Sequence, residues 1–296
     1  MTKPILVTGA TGFTGRFVCS EMLSRKKVFH CLVRKDSNTQ WLSEKNIPCV
    51  VGDLNDPTSL LGIFSHYGAL VNVASIGFGA APSIISACLA SGIKRAIFVG
   101  TTAIYTTLNT ASKEKRKAAE AAIRSSGLDF TILRPTMIYG TPADRNMVRL
   151  LRLIESSPIV PVFGTGQSLQ QPVHVEDVAW AICEVLDSPS TISKEYNISG
   201  GSPLSFNDVI HTAANALGRR PVVAHLPVKP IVLMLKIMEW CKISLPIKSE
   251  QILRLNEDKS FRHNEARSDF GYKPRDFAAG IESEVALFHT GLVFPK

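Results

Sequence analysis

Residues 5–15 read Ile-Leu-Val-Thr-Gly-Ala-Thr-Gly-Phe-Thr-Gly, and the reading of this stretch decides the fold. A short apolar run, Ile5–Thr8, meets glycines at 9, 12 and 15, spaced G-x-x-G-x-x-G. From Phe13 to Ser24 apolar residues recur at helical spacing. A strand that turns sharply into a helix aims free backbone N–H groups, and the positive end of the helix dipole, at whatever lies over the turn. Glycines clear side chains from that spot, so the main chain can approach a diphosphate, and Gly15 lets the helix pack close to the strand. With a strand before it and a helix after it, the pattern points to a dinucleotide held by Gly9, Thr11, Gly12, Phe13, Thr14 and Gly15.

The next strand, Val28–Val33, runs into Arg34-Lys35. An acidic residue there bonds a ribose hydroxyl and favours NAD(H), whereas a guanidinium pairs with a 2′-phosphate. Arg34 and Lys35 therefore favour NADP(H), with NAD(H) as the alternative and a solvated basic turn as the competing reading. Gly52-Asp53-Leu54 follows a third strand, Pro48–Val51. Asp53 either accepts from the adenine amine or caps its own turn, and Leu54 lies beside it at the cofactor edge.

Further strands are expected at Ala69–Val73, Arg95–Val99 and Phe130–Leu133, and helices at Asn38–Glu44, Pro57–Ser65, Ala81–Ala90 and Ser112–Ser125. The strands alternate little between polar and apolar, as strands covered on both faces should. The expected class is α/β, a doubly wound parallel Rossmann sheet with right-handed crossovers and a smaller C-terminal substrate lobe. Residues 1–140 form the NAD(P)-binding domain and 141–296 the lobe, with about 172–200 returning to the sheet. Helices at Val175–Leu186, Phe206–Leu217 and Pro230–Cys241 belong to this second part, where prolines are frequent.

The net charge is +8, but the basic residues fall in short groups without interleaved aromatics, which argues against nucleic acid. The expected partner is a small-molecule substrate, with a homodimer as a further expectation. No Asp, Glu, Lys or Arg occurs between Asp56 and Lys94, yet Pro82 and five glycines interrupt that stretch. A buried strand with a tightly packed helix explains it better than a transmembrane segment. The six cysteines form no CxxC pair and sit in apolar or helical contexts, which suits reduced, buried thiols, a cytoplasmic location and no metal site.

Taken together, Gly-Ala-Thr-Gly-Phe-Thr-Gly at 9–15, Gly-Asp-Leu at 52–54, Ser-Gly-Leu-Asp-Phe-Thr-Ile-Leu-Arg-Pro at 126–135, Ile-Tyr-Gly at 138–140, Pro-Val-His-Val-Glu-Asp-Val-Ala at 172–179 and Tyr-Asn-Ile-Ser-Gly-Gly at 196–201 resemble the extended and atypical short-chain dehydrogenase/reductases. That superfamily includes NAD(P)-dependent epimerase/dehydratases, NmrA-like proteins and relatives of a complex I accessory subunit. The resemblance spans nearly the whole chain. It implies that Ala74, Ser75 and Pro135 line the cofactor, that Thr101 stands at the family's catalytic Ser/Thr position, and that Tyr139, Gly140 and His174 lead toward substrate. His174 also reads as a packed, hydrogen-bonded interior residue.

The family's acid/base Tyr, with a Lys four residues on, is missing. A phenol is a poor base until a cation stabilises its phenolate, which is the task of that Lys. Alignment puts Ser112 at the Tyr position and Arg116 at the Lys position, and a slip of one residue offers Lys113 and Lys117 instead. The Lys113–Lys117 group is a solvated face, a cationic replacement for the phenol, or a ribose and phosphate contact. Tyr105 is a further candidate near the nicotinamide. The apolar segment 227–245 reads as a lid, a dimer face or a membrane-surface helix, and Arg134, Arg145, Arg149 and Arg152 are candidates for a substrate diphosphate. The implied function is hydride transfer on a carbonyl or alcohol, with a nucleotide sugar as one substrate. The alternative is a catalytically degenerate NADP(H)-binding sensor or assembly protein.

Overall fold

Residues 3–241 and 248–294 are described by the structure, a computed structural model. Seven parallel strands form the central sheet: β1 (Ile5–Thr8), β2 (Phe29–Val33), β3 (Cys49–Val51), β4 (Ala69–Asn72), β5 (Arg95–Val99), β6 (Asp129–Pro135) and a late strand described below. Helices α1 (Phe13–Ser24), α2 (Gln40–Glu44), α3 (Pro57–Phe64), α4 (Ala81–Ala90) and α5 (Ala111–Arg124) connect them. The chain then gives β7 (Ile138–Tyr139), α6 (Met147–Ser156), β8 (Ile159–Phe163), β9 (Leu169–Gln170), β10 (Val173–His174) and α7 (Val175–Asp187). Strand β11 (Lys194–Ile198) follows, then β12 (Leu204–Ser205), α8 (Phe206–Ala216) and β13 (Val222–Leu226). Helices α9 (Val228–Trp240), α10 (Ser249–Leu255), α11 (Asn264–Phe270) and α12 (Phe277–Thr290) complete the described chain.

Across the sheet the order is β11-β6-β5-β4-β1-β2-β3. The strand order reverses between β1 and β4, and such a switch point opens a crevice at the carboxyl ends of the strands. Residues within each strand alternate between two cores. Leu6 packs with α3, α4 and α5, whereas Val7 packs with α1, α7 and α11. The uncharged stretch after Asp56 is accounted for, since α3, β4 and α4 contribute Leu60, Phe64, Leu70, Ile84 and Cys88 to one core. Asp56 caps α3 by accepting from the Thr58 and Ser59 N–H groups, with Pro57 in the first turn where no N–H is needed.

Several boundaries differ from the sequence expectation for physical reasons. Strand β6 reaches Pro135 because Arg134 and Pro135 pair with Asn197 and Ile198 of β11, a strand hidden by its polar residues. Helix α9 starts before Pro230, which its unpaired first turn tolerates. Two cysteines, Cys49 and Cys241, are exposed rather than buried; Cys19, Cys31, Cys88 and Cys183 are interior thiols. Residues 242–245 of the apolar segment, Lys242 included, lie outside the described residues. No helix among the described residues is long and apolar enough to cross a membrane.

The second part packs α6, α8 and α12 around Leu151, Ile210 and Ile281, and β13 pairs with β8. Within this core lies an unusual carboxyl. Glu284 on α12 is wholly buried; its Oε2 accepts the Gly140 N–H at 2.8 Å, and it faces Asp144. Asp144 is committed as an acceptor to the Asn146 and Met147 N–H groups at the start of α6. Burial first, and then Asp144, push Glu284 from 4.5 up to about 9. It therefore holds a proton at ordinary pH, in a buried pocket that it shares with Asp144.

A sign follows for stability. Between pH 4.5 and about 9 the folded chain binds a proton that the unfolded chain has lost, so stability falls as pH rises through that window. Glu284→Gln keeps a donor without the titration. Its melting temperature is expected to pull ahead of wild type steadily from about pH 5 to about pH 9. Parallel melting curves for the two proteins across that range would refute the assignment.

Candidate functional site

At the end of β1 the chain turns through Gly9, whose φ is +72°; a Cβ there would stand 2.7 Å from the Ala74 nitrogen. The Gly12 N–H closes the turn onto the Gly9 carbonyl at 3.0 Å. A Cβ on Gly15 would meet that same carbonyl oxygen at 2.1 Å, so α1 is pressed against the turn as only glycine permits. Gly12 caps α1 with no side-chain acceptor, leaving the first-turn N–H groups of Phe13 and Thr14 without an internal cap. Thr11 is exposed beside them. The free helix start and the cleared cradle fit a diphosphate.

A buried polar link holds the other wall. Thr8 Oγ1 donates to Asn72 Oδ1 at 2.7 Å, and Asn72 Nδ2 donates to the Ala74 carbonyl at 2.8 Å. Asn72 ties the ends of β1 and β4 and so sets the position of Ala74 and Ser75. Sequence reasoning missed it, although a lone Asn ending an apolar strand was a usable signal. Ser75 Oγ accepts from the Gly77 N–H, capping a short 3-10 turn at Ile76–Phe78.

At the adenosine end Arg34 and Lys35 are exposed beyond β2. Asp53 Oδ1 accepts from the Asn55 N–H at 2.9 Å, so this carboxylate caps its own turn; Leu54 packs against the core under it. A cavity of about 310 Å³ separates the glycine turn from the loop after β2, lined by Thr11, Arg16, Asn38, Gln40, Trp41 and Glu44. Arg16, unremarked in the sequence, lies 4.7 Å from the Trp41 ring centroid and 3.7 Å from that of Phe294.

The helix phase of α5 separates the two alignments. Thr110 caps α5, and Arg116 Nη1 donates to Ser112 Oγ at 3.3 Å. The Arg116 stem runs past Gly77, 3.3 Å from where a Cβ would sit, on the loop that follows β4. Lys113 donates to the carbonyl of Thr106, a residue that Glu257 also binds, while Lys117 is half-exposed and pairs with Glu114. Ser112 and Arg116 are thus bonded to each other, and Lys113 and Lys117 each have a separate partner. Thr101 Oγ1, at the end of β5, accepts from the Ala103 N–H at 3.2 Å. Thr102 Oγ1 donates to the carbonyl of Pro135.

Tyr105 Oη accepts from Arg134 Nη1 at 3.0 Å and donates to Asn197 Oδ1 at 3.3 Å. Arg134 is not available to a substrate diphosphate. It forks onto Glu120 at 2.9 and 2.6 Å, and Glu195 joins the same guanidinium and Arg124. Burial opposes charge on Arg134, but the two carboxylates prevail and hold it above its usual range. Arg145, just before α6, and Arg149 and Arg152 on α6 are exposed to solvent. Tyr139 and His174, the residues expected on the substrate side, are interior. Their rings meet edge-on at 5.4 Å, and burial pushes His174 down to about 3, so it stays neutral and accepts the Glu176 N–H.

The second lobe straps across this end. Glu257 accepts from Thr106 Oγ1 and the Thr107 N–H, both at 2.7 Å, and Phe261 lies 5.3 Å from the Tyr105 ring. The strap carries cations that sequence reasoning did not gather. Burial and then Arg254 lower Lys259 from the usual lysine range, and the same two causes lower Arg116. Arg254 thus acts on both Arg116 and Lys259, and Glu257 partly offsets it at Lys259. Among the described residues no group of three or more His, Cys, Asp or Glu could hold a metal.

The profile of a family described as NAD(P)H-binding matches residues 9–189. A ceramide reductase from Caulobacter vibrioides is 26% identical, covering 75% of this chain and 73% of that protein. A UDP-glucose 4-epimerase from Vibrio cholerae is 22% identical over 93% of this chain and 92% of its own. Among solved structures, the crystal structure of gox2253 superposes with a TM-score of 0.82 at 20% identity, covering 98% and 99% of the two chains. The chain is thus related in sequence to epimerases and reductases and shares their fold.

The buried Arg134 fork makes one stability test. Arg134→Met leaves Glu120, whose side chain is 1% exposed, without its main partner. Chemical denaturation is expected to show a loss of about 3 kcal/mol or more. A change below about 1 kcal/mol would mean that the network relaxes onto Arg124.

Proposed function

The chain belongs to the NAD(P)H-binding family, and from that premise we propose that it is an oxidoreductase holding NADP(H) and acting on the carbonyl or alcohol of a small anionic molecule. A nucleotide sugar is one such substrate. The observation that carries the reading is the place of Arg116: its stem lies against Gly77, on the loop whose start abuts Gly9. Glycine turn and cation therefore border one crevice, at its diphosphate and nicotinamide ends.

The bound cofactor supplies or accepts the hydride. The chain's own residues do the rest. First-turn N–H groups of α1 receive the diphosphate, and Arg34 with Lys35 meets the 2′-phosphate. Arg116 takes the place of the family's Lys. A guanidinium keeps its charge but does not release a proton, so it orients hydroxyls and steadies developing negative charge. In place of the missing phenol, this reading assigns the Ser112 and Thr101 hydroxyls as donors to the substrate oxygen. Lys259, partly stripped of water and repelled by Arg254, is the lysine best disposed to exchange a proton. With Arg116 and Arg254 it supports an anionic substrate.

A second reading has its own observation. No phenol stands at Ser112, whose hydroxyl is taken up by Thr110 and Arg116. A chain that binds NADP(H) without turnover, like the assembly and accessory relatives of this superfamily, is consistent with that.

Calorimetry separates these readings. NADPH is expected to bind more tightly than NADH. Arg34→Ala should weaken NADPH about tenfold and leave NADH unchanged. Gly12→Ala, at a φ of −82° that alanine tolerates, places a methyl on the phosphate side and should weaken both nucleotides with little change in melting temperature. A turnover screen of NADPH with nucleotide sugars and small oxo acids then decides between enzyme and holder. Uptake of neither nucleotide would overturn the whole proposal.

A further inference from the structure

Helix α9 is buried on one side only. Val232 and Leu235 face α10 and Ile252. On the other side Leu233, Met234, Ile237 and Trp240 are 61%, 52%, 54% and 84% exposed. At about 100° per residue, Trp240, Leu233, Ile237 and Met234 form one continuous band along the outer face. Lys229 and Lys236 fall at one edge of that band, and both are exposed. The helix's one acid does not interrupt it. Glu239 turns toward α10 and accepts from the Ser249 N–H and Oγ at 2.7 and 2.9 Å.

Four large apolar side chains exposed together on one helix mark an interaction surface rather than chance. We propose that the outer face of α9 docks this protein on an anionic lipid surface, the apolar band entering the headgroup–acyl boundary and the two lysines meeting lipid phosphates. Charge and size choose this occupant over a second copy. Each copy carries +8 and would bring the same lysine edge to the contact, whereas an anionic bilayer attracts it. A stable protein interface engages about twenty residues a side, far more than this band supplies. A band this narrow, with a Trp at its end and Lys on its flank, has the composition of a helix lying in a membrane interface. The inference is independent of the cofactor reading.

Co-sedimentation tests it. The full chain is mixed with vesicles of phosphatidylcholine alone or with about one third phosphatidylglycerol, at low and at raised salt. It is expected to pellet with the anionic vesicles at low salt and to be released as salt rises. Ile237→Ser with Trp240→Ser should lower partitioning at least about tenfold, and Lys229→Glu with Lys236→Glu should do the same on anionic vesicles alone. All four side chains are exposed, so unchanged melting temperatures are expected and keep the comparison valid. The proposal is overturned if wild type stays in the supernatant, or if the serine pair pellets like wild type. It is equally overturned if light scattering shows a wild-type dimer that the serine pair splits while neither protein binds vesicles, since the face then belongs to a second copy.

Discussion

Between Gly9 and Gly15 the main chain passes so close to itself that one methyl group would close the gap: a Cβ on Gly15 would lie 2.1 Å from the Gly9 carbonyl oxygen. Because a hydrogen stands there, α1 begins immediately above β1 and directs its uncapped N–H groups into the crevice. That placement also sets α1 against α7, whose Val178, Ala181 and Ile182 share a core with Val18 and Met22. The turn on its other side touches Ala74, which Asn72 and Thr8 hold by hydrogen bonds. A contact between two backbone segments thus fixes the helix start, the neighbouring helix and the opposite wall of the crevice.

The interior meets two ionisable clusters in opposite ways. Around Arg134 every charge has a counter-charge: Glu120 and Glu195 bracket the guanidinium, and Arg124 completes a neutral set of four. Both charges survive burial because each is hydrogen-bonded by the other. Around Glu284 no cation among the described residues offsets its charge, and Asp144 has spent one oxygen on backbone N–H groups. Burial of two bare carboxylates would be far too costly, so one keeps its proton. The first solution locks β6 and β11 beneath the candidate site. The second joins α12 to the start of α6 and leaves that junction sensitive to alkali.

How much of this was legible depends on which physical constraint a residue type records. The glycine turn was legible because a steric demand of the backbone admits one residue there, and Gly9, Gly12 and Gly15 state it directly. Strands β1, β2 and β5 were legible because burial on both faces demands continuous apolar runs. Strand β11 was not, since Lys194 and Glu195 sit on an edge strand that can be polar. The choice between Ser112 with Arg116 and Lys113 with Lys117 was open in sequence, because a helix starting one residue earlier swaps the two pairs. The Thr110 cap fixes where α5 begins, with Ser112 hydrogen-bonded to Arg116. The burial of Tyr139 and the removal of Arg134 from the cleft depend on contacts with residues more than a hundred positions, or tens of positions, away. The position of Lys259 is set by the strap folding back along Leu169 and Gln170.

The two ends of the crevice are therefore built from different materials, which bears on how the site can change. The diphosphate end is backbone held by backbone, so almost any substitution there breaks either packing or access. In the proposed reading the nicotinamide end is made of side chains at the start of α5, where Ser112 and Arg116 stand without altering Thr110 or the packing of Ala119 and Ile123. Exchange of a phenol–lysine pair for a hydroxyl–guanidinium pair leaves the fold and the cofactor cradle intact and alters only proton handling. A permanently charged guanidinium can steady an oxyanion at any ordinary pH, but it cannot pass on a proton. Under the proposed function, proton exchange falls to Lys259 of the strap, which burial and Arg254 hold below the usual lysine range. Chemistry of this kind needs both lobes in place, because one carries the charge that orients the substrate and the other carries the group that exchanges its proton.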